Sequence, residues 1–441
     1  MILLDNIKFI ADNDPARIAI TDMEGQREIS FSELWTISCK LASKLKSLNV
    51  KKDVCKAVGK TPDLRHITKF LKIPEGVDIT KLEFAIERLV SDHPIYFCNA
   101  SVQDKIIKPG NTNDFKCEHF SMAVSQFKDF RNSLYYKIRD LEKEPLFTAG
   151  FVELDNSETY VYLSISHLAY DMVTFELLAR ELACYYAGEA CYKEEITAFD
   201  IIDWEQNLKN TQFYDKALEV HDKAFKGFPK LDLFDTIDYN TNYITPLTGD
   251  VCIDNIRTFA KDKSISTLTL YQAALELAVQ EFFGLEKFCY INTYAARFAP
   301  NIRHTQGPVF RYLFSPSSIH ESANTHELLK NIELKYQELC YYNVEDCVEM
   351  SSKYPQVITG IGLNVREQSG LELRLDGQLL QDCFAGKDIQ YTDCPFRPLN
   401  VIIDFVEGSP YLGVSGVSIT QDQAKDFAEL YINKMSHCSS V

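Results

Sequence analysis

A histidine and an aspartate four residues apart are the residues in this sequence best suited to chemistry. His167 and Asp171 lie in the segment YVYLSISHLAYDMVTFELLARELACYYAG. Val161, Leu163 and Ile165 recur at every second position, so they share one face of a predicted strand, and His167 continues that face. Asp171 follows where a helical pattern begins. The spacing therefore predicts an imidazole and a carboxylate on one strand-to-helix turn.

This pair has the chemistry that acyl transfer requires. Attack on a thioester by an amine or a hydroxyl group needs a base that works near neutral pH, and histidine is the side chain suited to that range. The carboxylate can order the turn, often by pairing with an arginine. A structural interpretation is also open, in which His167 is a packed core histidine and Asp171 caps the helix that begins at Met172.

Hydrophobic spacing and turn signals predict the elements around this turn. A capping box at residues 80–83 (TKLE) predicts the start of a helix. A strand precedes His167, and the helix after Asp171 is expected to end at Gly188. The run from 215 to 233 is interpreted as a connection between two halves. The other predicted elements are a helix at 268–283, strands at 288–293, 399–405 and 411–419, and a helix at 422–434. Interspersed strands and helices indicate an α/β fold in the α+β sense.

The segment around His167 resembles the third core motif, HHxxxDG, of the condensation domains of nonribosomal peptide synthetases. His167 matches the second, catalytic histidine, and Asp171 matches the aspartate. Ser166 and Met172 stand where the motif has its first histidine and its glycine. The resemblance therefore implies that His167 is the catalytic residue and that Asp171 supports it.

Other stretches resemble the same family in order and spacing. Arg297 matches an arginine of the family ahead of a strand segment that starts here at Gly307, and Asn364 lies where the family often has an asparagine that lines its tunnel. The resemblance covers about residues 60–437. The matching stretches are VDITKLEFAIERLVSDHPI, AFDIIDWEQ, INTYAARFAPNIRHTQGPVFRYLF and PLNVIIDFVEGSPYLGVSGVSITQDQAKDFAELYINKM.

The resemblance implies a fold of two lobes, each like chloramphenicol acetyltransferase, in a V arrangement with a central tunnel. The first lobe is expected at 55–228 and the second at 229–441. His167 would lie at the base of the tunnel, with Ser166, Met172 and Asn364 along it.

The implied reaction forms an amide (peptide) bond between acyl and aminoacyl thioesters, as in secondary metabolite biosynthesis. The substrates would be presented on the phosphopantetheine arms of peptidyl or acyl carrier domains, either in trans or within a larger synthetase. No tightly bound cofactor is implied.

One departure from the family changes the expected partner of Asp171. The family's RHxxLR region is replaced by DHPIYF at residues 92–97, so its arginine is missing and only His93 matches. We interpret His93 as a packed histidine. We predict that Asp171 pairs with Arg297 or caps its own helix, and does not touch the substrate.

The first 54 residues resemble a different family. The segment DPARIAITDMEGQREISFSELWTISCKLASKL is similar to the opening of an adenylate-forming (AMP-binding) domain. A short strand at 18–20 and a helix from about 31 to 48 are predicted, with one apolar stripe that is too narrow to fold alone. The glycine-rich phosphate loop of that family does not occur in the sequence. We therefore expect an N-terminal appendage without adenylation activity.

Composition excludes several classes of function. The formal net charge of -17 disfavours binding to nucleic acid or to an anionic membrane surface. The 13 cysteines include no CxxC pair and no cysteine–histidine cluster with zinc spacing, which indicates buried thiols in a reducing compartment and no metal site. The sequence lacks a signal peptide and an apolar run of about 20 residues, so we expect a cytoplasmic protein.

Three functions from different classes remain open. The first is the condensation enzyme just described. The second is an HxxxD acyltransferase that uses a free acceptor or a coenzyme A thioester. The third is a degenerate condensation fold that recruits partners and catalyses nothing.

Overall fold

The structure is a computed structural model, and its described residues fall into two compact units. The larger unit comprises Thr61–Cys98, Pro109–Arg139 and Pro145–Val441 and contains both lobes discussed below. The structure describes residues 18–21, 28–30, 66–101, 106–135, 137, 140–230, 241–344, 347–357, 360–366, 372–382, 399–406, 409–416 and 419–440.

Strands and helices are interspersed along the described chain. The strands are β1 (Ile18–Thr21), β2 (Glu28–Ser30), β3 (His66–Lys72), β4 (Cys98–Ser101), β5 (Ile106–Pro109), β6 (Glu118–Met122), β7 (Phe147–Leu154), β8 (Thr159–Ser166), β9 (Thr241–Pro246), β10 (Cys289–Tyr294), β11 (Arg311–Pro316), β12 (Ile361–Val365), β13 (Arg374–Leu375), β14 (Gln378–Leu379), β15 (Gln381–Asp382), β16 (Leu399–Val406) and β17 (Ser409–Gly416). The helices are α1 (Ile79–Asp92), α2 (Val124–Tyr135), α3 (Met172–Ala187), α4 (Ala198–Leu208), α5 (Gln212–Phe225), α6 (Ile253–Lys263), α7 (Thr267–Phe283), α8 (Thr325–Tyr341), α9 (Cys347–Lys353) and α10 (Gln421–Ser439).

The first lobe is built on a sheet whose described strands follow the order β15-β3-β8-β7-β6. β8 is central, because it pairs antiparallel with β3 on one side and β7 on the other. Every residue of β8 after Thr159 is buried. The turn that follows Ser166 therefore starts from a strand that is fixed on both edges.

The second lobe is built on a larger sheet with the described strand order β11-β10-β12-β16-β17-β9. β10, β12 and β16 run parallel to one another, whereas the remaining pairs are antiparallel. Ile361 and Leu363 of β12 pack with Val401 and Ile403 of β16 in one hydrophobic core, which also contains residues of α7 and α10. Because strand side chains alternate, the even-numbered residues of β12 and β16 face away from this core.

Two sheets with their helices confirm the predicted α/β fold of two lobes. The described strands before residue 231 belong to the first sheet or to small hairpins, and those of the second sheet lie after residue 240. One strand departs from this simple division, because β15 lies late in the chain and pairs with β3 of the first lobe. The domain boundaries at 54/55 and 228/229 stay predictions.

Two local predictions are corrected. The helix predicted to start at the 80–83 capping box begins at Ile79, and its cap is Asp78, whose carboxylate accepts from the backbone N–H of Lys81. The run from 215 to 233 is not simply a connection, since its residues up to Phe225 belong to α5. In both segments the polar residues are compatible with more than one local structure. Tertiary packing, which the local sequence does not show, decides which structure forms.

The predicted N-terminal strand is present as β1, which pairs antiparallel with β2. The predicted helix from about 31 to 48 and the apolar stripe of that segment lie outside the described residues. No helix in the described part of the chain is long and apolar enough to cross a membrane.

Candidate active site

The turn between β8 and α3 places His167 directly after the buried end of β8. The turn is closed by the backbone N–H of Ala169, which donates to the carbonyl of Ser166 over 2.8 Å. The Ser166 hydroxyl accepts from the backbone N–H of Leu168 at 3.3 Å. Ser166 is 1% exposed, so its described contacts belong to the turn, and its place along a tunnel stays a prediction.

His167 is half-buried and lies against Tyr170. The two ring centroids are 4.5 Å apart, and the Tyr170 hydroxyl lies 3.2 Å from Nε2 of the imidazole. Burial lowers the pKa of His167 to about 4, and the positive charges of Arg366 and His66 act in the same direction. The imidazole is therefore neutral at physiological pH, and it can accept a hydrogen bond from a substrate.

Asp171 caps helix α3. One carboxylate oxygen, Oδ1, accepts from the backbone N–H and from the hydroxyl of Thr174, each at 2.9 Å. The Thr174 hydroxyl in turn lies 3.2 Å from the backbone N–H of Asp171, which completes a capping box. The helix ends at Gly188 in a left-handed conformation, as the sequence predicted.

The other carboxylate oxygen of Asp171 binds the second lobe. Arg297 Nη1 donates to Oδ2 over 2.6 Å, and the backbone N–H groups of Val309 and Phe310 donate to the same oxygen at 3.0 and 3.1 Å. The side chains of Asp171 and Arg297 are each only 5% exposed. Both predicted arrangements of Asp171, the pair with Arg297 and the helix cap, are therefore present together.

Arg297 also fixes the segment 305–310 that follows it. Its Nη2 donates to the carbonyls of Thr305 and Gly307 at 3.0 and 3.1 Å. Gly307 has φ +121, and a Cβ there would lie 2.9 Å from the Cβ of Ala198. Only glycine fits this position without strain, because other residues rarely adopt this φ and would also clash.

Comparison with known proteins identifies the family. The family model of the condensation domain matches residues 63–345, which is more than half of the chain. The chain belongs to the condensation-domain family. It is 25% identical over 244 residues to Bacitracin synthase 1 of Bacillus licheniformis, an alignment that covers 52% of this chain. The chain spans only about 4% of the length of that synthase and of another curated relative.

Solved structures agree on the fold. The condensation domain of the Monacolin K polyketide synthase MokA superposes with a TM-score of 0.71 at 14% identity, covering 88% of this chain and 95% of that one. The X-domain from teicoplanin biosynthesis superposes with a TM-score of 0.68 at 13% identity, covering 90% and 93%. At such low identities these likenesses show the fold alone.

A second buried cluster in this condensation domain joins the two lobes, and the sequence did not reveal it. His93 Nε2 lies 2.5 Å from a Glu181 oxygen, and Nδ1 lies 2.8 Å from a Glu194 oxygen. Gln306 of the second lobe bonds both carboxylates, through its backbone N–H to Glu194 at 2.8 Å and through its side-chain amide to Glu181 at 2.9 Å. The Tyr96 hydroxyl donates to Gln306 over 2.7 Å. His93, Glu181, Tyr96 and Gln306 are each no more than 5% exposed.

The two carboxylates keep His93 protonated. Burial by itself would lower the pKa of this imidazole, but the hydrogen bonds and negative charges of Glu181 and Glu194 outweigh burial and raise the pKa to about 9. His93 was interpreted as a packed histidine, and it is packed, but as a cation between two anions. The only feature of the sequence that could have indicated this cluster was Glu181, a charged residue at a buried position of α3.

Two further candidate residues are placed but not joined to His167 by any described contact. Met172 is the first residue of α3 and is half-buried. Asn364 lies in β12, opposite Ile402 of β16, and is also half-buried. Their positions along a tunnel stay predictions.

Proposed function

We propose that this chain catalyses amide (peptide) bond formation between an acyl or aminoacyl thioester and an amine, both held on the phosphopantetheine arms of carrier domains, with His167 as the catalytic residue. The observation behind the proposal is a neutral imidazole on a turn that Asp171 and Arg297 fix to the second lobe. The carrier domains act in trans or within a larger synthetase in the cytoplasm, and the product belongs to secondary metabolism.

The proposed reaction is a single group transfer. The nitrogen of the acceptor amine forms a bond to the thioester carbonyl carbon, the C–S bond breaks, and its electron pair leaves with the sulfur. The nitrogen loses one proton and the departing thiolate gains one. The products are an amide and a free thiol, and this balance requires no oxidant, reductant or tightly bound cofactor.

The low pKa of His167 defines its part in this step. Above a pH of about 4 the imidazole is neutral and offers a lone pair to the N–H of the incoming amine. A base this weak does not retain a proton at neutral pH, and acid–base catalysis is most efficient when the pKa lies near the working pH. We therefore propose that His167 orients the amine by accepting a hydrogen bond from it and holds its proton only briefly.

Asp171 and Arg297 act as positioning residues in this proposal. All of the described contacts of the Asp171 carboxylate go to Thr174, Arg297, Val309 and Phe310. The carboxylate therefore holds the turn that carries His167 and makes no contact with the substrate. Ser166, Met172 and Asn364 would line the tunnel by which the two thioesters reach His167.

The central test is replacement of His167. His167→Ala should lower amide formation by roughly 10²–10⁴-fold, the usual effect of removing a positioned acid or base. The assay supplies donor and acceptor as carrier-bound thioesters and follows the product by mass spectrometry. His326→Ala, at an exposed position of α8, is the matched control and should leave the rate unchanged. Undiminished product from the His167→Ala protein would overturn the assignment.

Met172 tests the width of the proposed tunnel. Met172→Gly restores the small residue of the family motif, so it should keep or raise the rate of amide formation.

The same assay also separates the alternative functions. Product from a coenzyme A thioester or a free amine, but not from carriers, would favour the general acyltransferase. No product from any pair of substrates would favour a scaffold that recruits partners.

A further inference from the structure

The chain turns back along helix α3 directly after the helix ends. Gly188 has φ +73, and its backbone N–H donates to the carbonyl of Tyr185 at 3.1 Å. The backbone N–H of Glu189 donates to the carbonyl of Cys184 at 2.9 Å. These two hydrogen bonds form a Schellman motif, which is a common way for a helix to end at a glycine. The residues that follow Gly188 begin from this tight turn against the last residues of α3.

Cys191 belongs to this returning segment and contacts the turn of α3 that carries Cys184. The Cys191 thiol donates to the backbone carbonyl of Glu181 at 3.6 Å. A helical side chain points back over the residues three and four positions before it, so the side chain of Cys184 lies over the same turn as this carbonyl. The two thiols are also hydrogen-bonded to each other. These contacts place the two sulfur atoms side by side.

Both cysteines have the exposure that thiol exchange requires. Cys184 and Cys191 are free thiols and are half-buried, whereas Cys98, Cys289 and Cys438 are buried. A small reagent can therefore reach the pair. A disulfide forms without movement of the backbone only where the two Cα atoms lie within about 7 Å, and two thiols in contact meet that condition most readily.

The segment 189–197, which contains Cys191, also binds the second lobe. A carboxylate oxygen of Glu194 accepts from the backbone N–H of Gln306 at 2.8 Å. The carbonyl of Ile196 accepts from the hydroxyl of Thr305 at 2.5 Å. A bond that fixes the start of this segment to α3 therefore also stabilises a contact between the lobes.

We propose that Cys184 and Cys191 are a modification site, at which a low-molecular-weight disulfide oxidises the two thiols to a reversible disulfide bond. This bond fixes the segment 189–197 to α3 and so strengthens the join between the two lobes. The inference is independent of the proposed function, because neither the oxidation nor its effect on stability requires amide formation.

The exchange takes place in two balanced steps. One cysteine thiolate attacks a sulfur of the small disulfide, whose S–S bond breaks, and one small thiol leaves with its electron pair and a proton. The second cysteine thiolate then attacks the protein sulfur of the mixed disulfide, and the second small thiol leaves in the same way. The two cysteines lose two protons and two electrons in total, and the small disulfide is reduced to two thiols.

The rate of this exchange should rise with pH. Burial, followed by the hydrogen bond with Cys184, raises the pKa of Cys191 to about 12. The thiolate is the reacting form of cysteine, so oxidation should be slow at neutral pH and faster at about pH 9.

Peptide mass spectrometry of the full chain tests the site directly. The folded protein is incubated with oxidised glutathione at about pH 9, alkylated with iodoacetamide and then digested with trypsin. Cleavage after Arg180 and Lys193 releases the peptide ELACYYAGEACYK, which contains both cysteines and no others. The oxidised peptide should lack two hydrogen atoms and carry no alkyl group. After treatment with dithiothreitol it should carry two.

Variants separate the pair from the other cysteines. Cys191→Ser should leave a glutathione adduct on Cys184 and no disulfide within the peptide. Cys252→Ser replaces another half-buried cysteine and should leave the disulfide unchanged. If Cys191→Ser does not fold, Cys184→Ser provides the same comparison, with the adduct on Cys191.

Urea denaturation measures the effect on the lobes. The disulfide closes a short loop, so oxidation should lower the unfolding equilibrium constant of the wild-type protein by roughly 10–100-fold. The same treatment should leave the unfolding equilibrium constant of Cys191→Ser within about threefold of its reduced value.

Each measurement has a result that contradicts the inference. Two alkylated thiols after oxidation, or separate glutathione adducts on both cysteines, would overturn the site. A disulfide that forms but leaves the unfolding of the wild-type protein unchanged would overturn its effect on the lobes. Neither result depends on whether the chain forms amides, so both differ from failure of the proposed function.

Discussion

At the scale of single residues, two histidines have pKa values displaced in opposite directions. His167 has a lowered pKa of about 4 because burial and nearby cations disfavour its charged form. His93 has a raised pKa of about 9 because two carboxylates overcome the effect of burial. The same side chain is thus neutral at the candidate active site and cationic where the lobes join. The two groups therefore give opposite dependences of stability on pH.

The first prediction concerns His93. Its folded-state pKa is about 9 and its unfolded value is 6.5, so the folded protein binds the extra proton between these values. The stabilisation is complete below pH 6.5 and is lost as the pH rises through 9. The free energy of unfolding should fall over this window by an amount on the order of 3 kcal/mol, measured by urea denaturation. His93→Gln should remove most of this slope.

The control for His93 is His326→Gln, at an exposed position of α8. It should keep the wild-type decline between pH 6.5 and 9. A wild-type protein whose stability is flat over this window would contradict a protonated His93. So would a His93→Gln protein that still shows the full decline.

The second prediction concerns His167. Because its folded pKa of about 4 lies below the unfolded value of 6.5, the unfolded chain binds more protons between these values. Stability from this group is therefore present above pH 6.5 and is lost as the pH falls through 4. Proton titration of the imidazole by NMR should give a midpoint near 4. Arg366→Gln should raise that midpoint, and a wild-type value near 6.5 would contradict the burial of the site.

At the scale of elements, the β8–α3 unit was predictable because its signals are local. Alternation before His167 predicted the strand that the structure has at Thr159–Ser166. Asp171 as cap and Gly188 as stop bound the helix correctly. The start of α1 was predicted too late because both Asp78 and Thr80 are residue types that cap helices, and the local sequence does not decide between them.

The segment 305–310 could not be placed from sequence for a different reason. Its apolar residues do not recur at a helical or strand spacing. Its conformation follows from hydrogen bonds to Asp171, Glu181 and Glu194, all of which lie more than 100 residues earlier. Local patterns carry no information on such pairings. The resemblance to the family supplied Arg297 as a substitute partner, and the structure supplied the rest.

The third prediction concerns the bond between α3 and this segment. Asp171→Asn removes the charge that compensates Arg297, whose side chain is 5% exposed. Loss of one partner of a buried ion pair typically costs about 3–5 kcal/mol. Chemical denaturation should show a loss of this size, and the pair variant Asp171→Asn with Arg297→Met should recover part of it, because the uncompensated buried charge is gone.

The exposed pair of Lys216 and Glu219 is the control for this measurement, since surface ion pairs contribute at most about 1 kcal/mol. Glu219→Gln should therefore have little effect on stability. If Asp171→Asn proved as mild as Glu219→Gln, the ion pair with Arg297 would not hold the turn.

At the scale of the whole molecule, the two lobes are joined by buried polar clusters and not only by chain connectivity. One is the ion pair of Asp171 with Arg297, and the other is the cluster of His93, Glu181 and Glu194 around Gln306. The sequence predicted two lobes from family resemblance and the pair of Asp171 with Arg297, but it did not predict the cluster of His93, Glu181 and Glu194. The family arginine is missing near Phe97, and the replacement network is assembled from residues distant in sequence.

The last prediction follows from these clusters. Two lobes that share buried ion pairs should unfold together, so calorimetry of the wild-type protein at pH 7 should show one transition for the larger unit. The double variant Asp171→Asn, His93→Gln weakens both clusters and should separate the transition into two, one for each lobe. Glu205→Gln, which breaks the partly exposed pair with Arg311 between α4 and β11, should keep one transition because that pair is more accessible to solvent. Two transitions in the wild type would show that these clusters do not couple the lobes, and a single transition in the double variant would show that other contacts couple them.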